Sequence, residues 1–292
     1  MTLTIAFGVY ECKDWIKHLN NTLTEIKTKL LNYNEILIID DRADQSIKLE
    51  DFIEDKTIKF NIVRHGTNLK NFAVRLSSIN NCKSDYIWMI DMDDKLLKYD
   101  FSKISAERIP DLIYFNKYFS DQHNYSINMM FNLIENIDTM FCKFKKYEIN
   151  FQFKNPLTRS YFLLSYDNRS KAMWFKFINV KFLKSVISKI DISKFKFLRY
   201  SDDILLNLYI FDNISRILVV NDLFPYLYDN KSVYIYLPVD EHGNPNKKIN
   251  PEVIKSWEWI YNNIPDFEIK RRWFENNKRI YKDCVDFSKY NL

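Results

Sequence analysis

The chain predicts an α/β fold: a mostly parallel sheet with helices on both faces, continued by a mixed-sheet half and a helical C-terminal tail. Three observations predict it. Strand-like and helix-like runs alternate through residues 1–100, the rhythm of a parallel sheet covered by helices. Beyond residue 100 the rhythm gives way to aromatic runs that read as strands, some antiparallel. From Pro251 the spacing is helical again.

Taken in order, Leu3 to Val9 is a short apolar run and predicts a buried strand. Trp15, Leu19, Leu23, Ile26 and Leu30 recur at helical spacing. Glu35 to Ile39 predicts a second strand, ending in Asp40-Asp41, and a polar, weakly helical piece follows to Asp55. Ile58 to Val63 predicts a third strand. Asn68 to Asn81 predicts a helix with Leu69, Phe72, Leu76 and Ile79 on one face. Tyr86 to Ile90 predicts a fourth strand, ending in Asp91-Met92-Asp93-Asp94. Leu112 to Phe119 and runs between Tyr125 and Tyr166 read as strands. Val180 to Ile190 reads as a helix, and a second starts at Ser201 with Ile204, Leu205, Leu208 and Phe211. Ile217 to Val220 and Tyr226 to Tyr236 return to strand. Asp240 to Lys248 is the linker-like stretch, and no internal repeat is visible. The expected organisation is a binding half over 1–100, a second half of the same domain over 101–239, and a helical extension over 240–292.

Composition narrows the function. The chain has 292 residues, 47% hydrophobic and 28% charged, enough apolar material for a core. Glycine falls to 3, at Gly8, Gly66 and Gly243, where ordinary usage gives roughly 20. Three scattered glycines cannot build a P-loop, a GxGxxG turn, a GxSxG elbow or an HGGG loop. Cys12, Cys82, Cys142 and Cys284 form no CxxC pair, and the four histidines show no HxxxH spacing. A soft-metal site is therefore not expected, and a reduced, intracellular chain is. The N-terminus shows no signal-peptide pattern, and the longest apolar runs are far short of the roughly 20 residues of a transmembrane helix. The expected place is the cytoplasm, including the inner face of the membrane.

Charge is uneven. Lys143 to Arg199 carries 14 basic and three acidic residues, a net +11. The whole chain is at +5, which leaves −6 elsewhere. Two readings stand: a solvated face, or a partner bearing phosphates, such as an anionic membrane, a lipid-linked acceptor or nucleic acid.

The chemistry is expected at the carboxyl ends of the strands, where open α/β sheets bind ligands. Two acidic clusters lie there: Asp40-Asp41, and Asp91, Asp93 and Asp94. Aspartates also favour turns, so one cluster alone says little. Two on one sheet edge point further, because packed carboxylates repel unless a cation joins them. Oxygen-only ligands suit Mg²⁺ or Mn²⁺, which typically hold a diphosphate.

The first hundred residues resemble the nucleotide-binding half of family 2 glycosyltransferases of the GT-A fold. Phe7-Gly8-Val9-Tyr10 is similar to that family's end of strand one. Glu35 through Asp41 resembles its E-hydrophobic-DDGS strand, and Asn68 through Arg75 its N-x-G-x-x-x-x-R helix start. Ser84 through Asp94 resembles its DxD segment. Trp174 through Leu183 resembles a W-x-KLYKR-x-FL block, and Arg199 through Ile204 stands where the family carries an ED motif. The resemblance reaches to about residue 235. Arg42 and Ala43 replace the Gly-Ser of the acidic strand end, Lys70 stands at the glycine place, and Leu76 at the Asn place after Arg75. Asp229 and Asn230 stand where many members carry Arg.

The resemblance implies a metal-dependent, inverting transfer of a sugar from a nucleotide donor, UDP above all, to an acceptor hydroxyl. Asp41 would accept the imide N–H of a uracil-like base, with Gly8 and Tyr10 beside it. Arg75 would face the phosphates; the alternative for it is a surface helix arginine. Asp91 would address the ribose and the metal, Asp93 is the favoured ligand to Mn²⁺ or Mg²⁺, and Asp94 is in reserve. Asp203 would be the general base. Asp202-Asp203 also reads as an ordinary helix start, with Ser201 as N-cap. The acceptor would be a glycan or lipid-linked hydroxyl in surface glycan synthesis. A modified base of DNA is the alternative, because Phe144, Tyr147, Phe151 and Phe153 interleave with the basic residues. They suit a sheet core equally. Two other classes compete. A haloacid-dehalogenase-like phosphatase would need Thr or Val where Lys95 stands. A non-catalytic sugar-nucleotide binding module would not need Asp91, Asp93 and Asp203 together.

Overall fold

A computed structural model describes residues 1–92, 94–104, 109–120, 124–126, 143–145, 148–152, 176–195, 198, 200–228, 251–266, 268–280 and 285–290. In chain order the elements are β1 (Leu3–Val9), α1 (Trp15–Lys29), β2 (Leu30–Leu31), β3 (Glu35–Asp40), β4 (Asn61–Arg64), α2 (Lys70–Asn81), β5 (Tyr86–Met89), β6 (Lys95–Leu96) and β7 (Tyr99–Asp100). There follow β8 (Leu112–Ser120), β9 (Asn124–Ser126), β10 (Lys143–Lys145), β11 (Glu148–Gln152), β12 (Phe177–Asn179), α3 (Val180–Ile187), α4 (Ile192–Phe195), α5 (Asp202–Asn213), β13 (Arg216–Tyr228), α6 (Pro251–Asn263) and α7 (Glu268–Ile280).

One sheet runs through the molecule in the order β10-β11-β13-β8-β12-β5-β1-β3-β4, with β6 on β13 and β9 on β8. The neighbours β5, β1, β3 and β4 are all parallel, as alternating strands and helices require. Beyond β5 the sheet is mixed: β12 is antiparallel to both β5 and β8, while β8 and β13 are parallel.

Helices cover both faces. Along β1, Leu3, Ile5, Phe7 and Val9 face the side of α1, where they meet Leu19, Leu23 and Ile26. Ala6 faces the other side, in the core shared by α2, α3, α5, α6 and α7. The period of two in the strand thus feeds two separate cores. Aromatic side chains join the halves on the α1 side: Trp88 of β5 stands 5.4 Å from Phe177 and 5.4 Å from Phe224, and Phe115 stands 5.0 Å from Phe224. The tail helices share the opposite core, where Trp257 of α6 meets Trp273 of α7 edge-on at 5.3 Å.

Several element ends differ from expectation. The third strand covers Asn61–Arg64 rather than Ile58 to Val63. Asp55 ties residues 55–58 into a turn by accepting the Thr57 amide and hydroxyl and the Lys27 ammonium. The polar piece before it forms a single 3-10 turn, Leu49–Phe52. Helix α3 stops at Ile187, followed by turns to Ile190. The expected strand at Tyr226 to Tyr236 is the end of β13 as far as Tyr228, and its remainder lies outside the described residues, as does the Asp240 to Lys248 stretch.

Gly8 decides how closely α2 can approach. A Cβ there would meet Val74 Cγ1 at 2.6 Å, inside van der Waals contact. Gly8→Ala is expected to cost about 1–3 kcal/mol by overpacking. Adding Val74→Ala should restore most of it. Urea unfolding of the single and double variants checks this, and a single variant as stable as the wild type would refute the close contact.

Candidate active site

The chain leaves β1 for β3 and β4 on one side, then crosses back to β5 on the other. Strand order therefore reverses between β1 and β5, and ligands bind at the carboxyl ends of such a pair. An open cleft lies there, lined by Gly8, Tyr10, Asn71, Val74, Arg75 and Asp91. Four of the residues singled out by sequence thus share one cleft. Asp93 lies outside the described residues.

The acidic pair at the end of β3 is split by strand alternation. Asp40 is fully buried and takes a two-pronged bond from Arg42, with Nε at 2.9 Å and Nη2 at 3.0 Å. The Arg42 guanidinium lies 4.9 Å from the centre of the Trp15 ring and 5.7 Å from that of Phe52. Burial pushes Asp40 up, but the bonds from Arg42 and Gln45 prevail and hold its carboxyl below the ordinary value. Arg42 at the glycine place is thus matched by a partner and two rings.

Asp41 is buried too, at 2% exposure. Its Oδ1 accepts the Leu69 amide at 2.8 Å and lies 2.6 Å from His65 Nδ1, and Oδ2 accepts the Lys70 amide at 3.0 Å. A carboxylate has about four lone-pair sites; these contacts take three and leave one on Oδ2, on a side chain that is 3% exposed and is not among the residues lining the cleft. Asp41 also caps α2, and the helix starts at Lys70 rather than Asn68. Lys70, at the family's glycine place, adopts φ 75°, a left-handed backbone that glycine tolerates better. His65 was missed by sequence reasoning. Its Nε2 lies 2.6 Å from Ser77 Oγ, so it fastens Asp41 to α2. Nothing in its sequence position marks this.

Arg75 links the acidic clusters. Its Nε donates to Asp202 Oδ2 at 2.6 Å, and Nη2 lies 3.9 Å from Asp91 Oδ1. Burial opposes the charge, but Asp202, Asp91 and Asp203 together hold the guanidinium protonated above its ordinary value. The residue is no surface arginine, since its side chain is 14% exposed. Beyond β5, Asp94 Oδ2 accepts the Asp91 amide at 2.6 Å and folds the segment into a turn.

Asp202 and Asp203 open α5, where the helix dipole favours acids. Ser201 precedes them at φ 65° with no side-chain cap bond, so its hydroxyl does not do the capping that sequence suggests. Asp203 is partly buried, and its Oδ1 accepts the Ile204 amide at 2.8 Å. Burial, then repulsion from Asp202, raises Asp203 to about 7; Arg75, the Ile204 amide and Lys176 pull it the other way. Asp203 is therefore poised to exchange a proton near neutrality.

A divalent cation fits the oxygen donors at the end of β5. Mg²⁺ and Mn²⁺ take one or two carboxylates and fill the rest with water and phosphate oxygens. Asp91 is 52% exposed at the cleft and can serve so. No three His, Cys, Asp or Glu side chains converge among the described residues. The basic stretch is described only in part: β10 and β11 pair antiparallel at the sheet edge, while Tyr147 and Phe153 lie outside the described residues. No described helix is long and apolar enough to cross a membrane.

Comparison with known proteins follows the same line. A family model described as "Glycosyl transferase family 2" matches residues 8–169. S. aureus TarS 1-349 in complex with UDP-GlcNAc is 15% identical, with TM-score 0.58, covering 100% of this chain and 76% of that one. TarS 1-349 in complex with UDP is 16% identical, with TM-score 0.56, covering 99% and 75%. The S. aureus TarS structure of greater length is 16% identical at TM-score 0.52, and the match spans 93% of this chain and 41% of that one. At this identity the likeness shows the fold. No curated protein matches in sequence.

The Arg75–Asp202 pair is open to a double-mutant cycle. Removing one partner of a buried pair costs about 3–5 kcal/mol, because the other charge stays buried. Arg75→Met and Asp202→Asn are each expected to destabilise strongly, and the double variant by much less than their sum. Additive losses in urea unfolding would show that the two side chains are uncoupled.

Proposed function

We propose, because the chain belongs to glycosyl transferase family 2, that it moves a sugar from a uridine diphosphate donor to an acceptor hydroxyl in one displacement, with inversion. The observation that carries the reading is the proximity of a carboxylate, Asp203, to the cleft residue Arg75, which also stands 3.9 Å from Asp91. Similar structures in complex with UDP-GlcNAc and UDP support the donor. The acceptor we assign is a glycan or lipid-linked hydroxyl of surface glycan synthesis, on the family resemblance.

Tyr10, 41% exposed at the end of β1, offers a ring to the base, and the remaining Asp41 lone pair accepts its imide. Arg75 faces the diphosphate from α2. The acceptor oxygen attacks the anomeric carbon as the bond from that carbon to the diphosphate oxygen breaks. Asp203 takes the hydroxyl proton, and the nucleotide diphosphate leaves with the bonding electrons. Mg²⁺ or Mn²⁺ held by Asp91 and Asp93 would offset charge on the departing diphosphate.

Two outcomes test this. With Mn²⁺ and a panel of nucleotide sugars, donor hydrolysis and transfer should stop in EDTA and return when metal is restored; full activity in EDTA would remove the metal from the reading. Asp203→Asn should keep donor binding and lose transfer by roughly 10²-fold or more. The active form is the carboxylate, so a raised Asp203 shifts the acid limb upward. The wild-type rate should fall about tenfold per pH unit below about 7, where an ordinary Asp would hold it flat to about 4. An unaltered rate in Asp203→Asn would reject the base assignment.

A further inference from the structure

We propose that Ser201 is a positioning residue of the transfer: its hydroxyl takes the Ile204 amide over from Asp203 and so frees the Asp203 carboxylate for the acceptor proton. The proposal rests on the reading of Asp203 as the base. Among the described residues, the non-glycine positions with a left-handed backbone are Asp14, Asn32, Lys70 and Ser201. Asp14, Asn32 and Lys70 are exposed, whereas Ser201 is 1% exposed. Its φ is 65°, and its Oγ is buried without a hydrogen-bond partner. Both features cost free energy. In this region Cβ crowds the carbonyl oxygen, and a buried hydroxyl without a partner has lost its water for no return. Strain of this kind collects at sites that bind or switch.

The helix end identifies the missing partner. A serine ahead of a helix normally accepts the amide of the second or third helical residue. Helix α5 begins at Asp202, so those amides belong to Asp203 and Ile204. The Ile204 amide is taken by Asp203 Oδ1 at 2.8 Å instead. Asp203 thus caps its own helix, while the residue in the capping position does not. A carboxylate that accepts an amide is less basic, and here it is turned toward the helix end. The two caps compete for one amide proton. An acceptor hydroxyl that donates to Asp203 displaces that amide and leaves it orphaned. Ser201 can supply the replacement by leaving the left-handed region for the extended backbone usual at a cap. Acceptor binding favours this second arrangement, because it alone pairs both the amide and the serine hydroxyl. Asp202, held by Arg75 at 2.6 Å, anchors the first turn of α5 through the exchange.

The readout is hydrolysis of a UDP-sugar with Mn²⁺, in which water is the acceptor, measured as kcat and KM alongside melting temperature. Ser201→Gly removes the strain and the hydroxyl together. It is expected to melt higher than the wild type by about 2 °C or more and to keep the donor KM. Its kcat should fall by about tenfold or more, since the displaced amide stays unpaired. Ser201→Ala keeps a Cβ in the strained region and lacks the hydroxyl. It should melt below Ser201→Gly and lose kcat equally, whereas a merely structural role would make kcat follow melting temperature. In an Asp203→Asn background, Ser201→Gly should cost nothing further. Wild-type kcat in Ser201→Gly would overturn the proposal, as would a loss of the same size in the Asp203→Asn background. Wild-type hydrolysis by Asp203→Asn alone would instead remove the base, and the serine's role with it.

Discussion

A guanidinium buried without a carboxylate costs several kcal/mol, and Arg75 escapes that cost only where α2, the end of β5 and the start of α5 converge. Asp202 is 127 positions away in the chain, yet its Oδ2 sits 2.6 Å from Arg75 Nε. Asp91 completes the arrangement from the strand side. The close approach of α2 to β1, open because Gly8 has no side chain, sets Arg75 at this height. The cleft between β1 and β5 and the start of α5 are therefore held by one charge. The parallel quartet and the α5 core cannot shift independently without exposing or orphaning it.

The low glycine content has a structural counterpart. Where a glycine would relax the backbone, this chain uses other devices. Lys70 holds a left-handed conformation, with its amide on Asp41. Arg42 fills the place after the acidic pair by bonding Asp40 and stacking near Trp15 and Phe52. Among the described residues, Trp88, Phe101, Phe115, Phe177 and Phe224 form a continuous aromatic layer between the parallel and mixed halves. Ring pairs at these distances prefer edge-on and tilted packing.

Charge in the interior is balanced in groups rather than pairs. Arg75 is held charged by Asp202, Asp91 and Asp203, while burial and Asp202 raise Asp203, and Arg75 and Lys176 draw it back. In a medium of low polarity such groups interact strongly, so a proton taken by one is felt by all. That is the environment a general base needs near neutral pH: a carboxylate basic enough to accept a proton and still ionised enough to begin.

From sequence, the strands and helices of residues 1–100 were legible because their apolar residues repeat with periods of two and 3.6. The cleft residues Gly8, Tyr10, Arg75 and Asp91 were legible because motifs mark the ends of β1 and β5 and the start of α2. The boundaries of the third strand and of α2 were not, because side chains distant in the chain set them: Lys27 against Asp55, and Asp41 against the amides of residues 69 and 70. Asp40 and Asp41 read as one acidic cluster until strand alternation sent them to opposite faces. His65 carried no signal, since its role is to join side chains 24 and 12 positions away, Asp41 and Ser77. The sequence by itself determined which groups could do the chemistry. Only the tertiary structure decided which of them share a field, because burial and charge pairing act through space and depend on neighbours that the order of residues does not show.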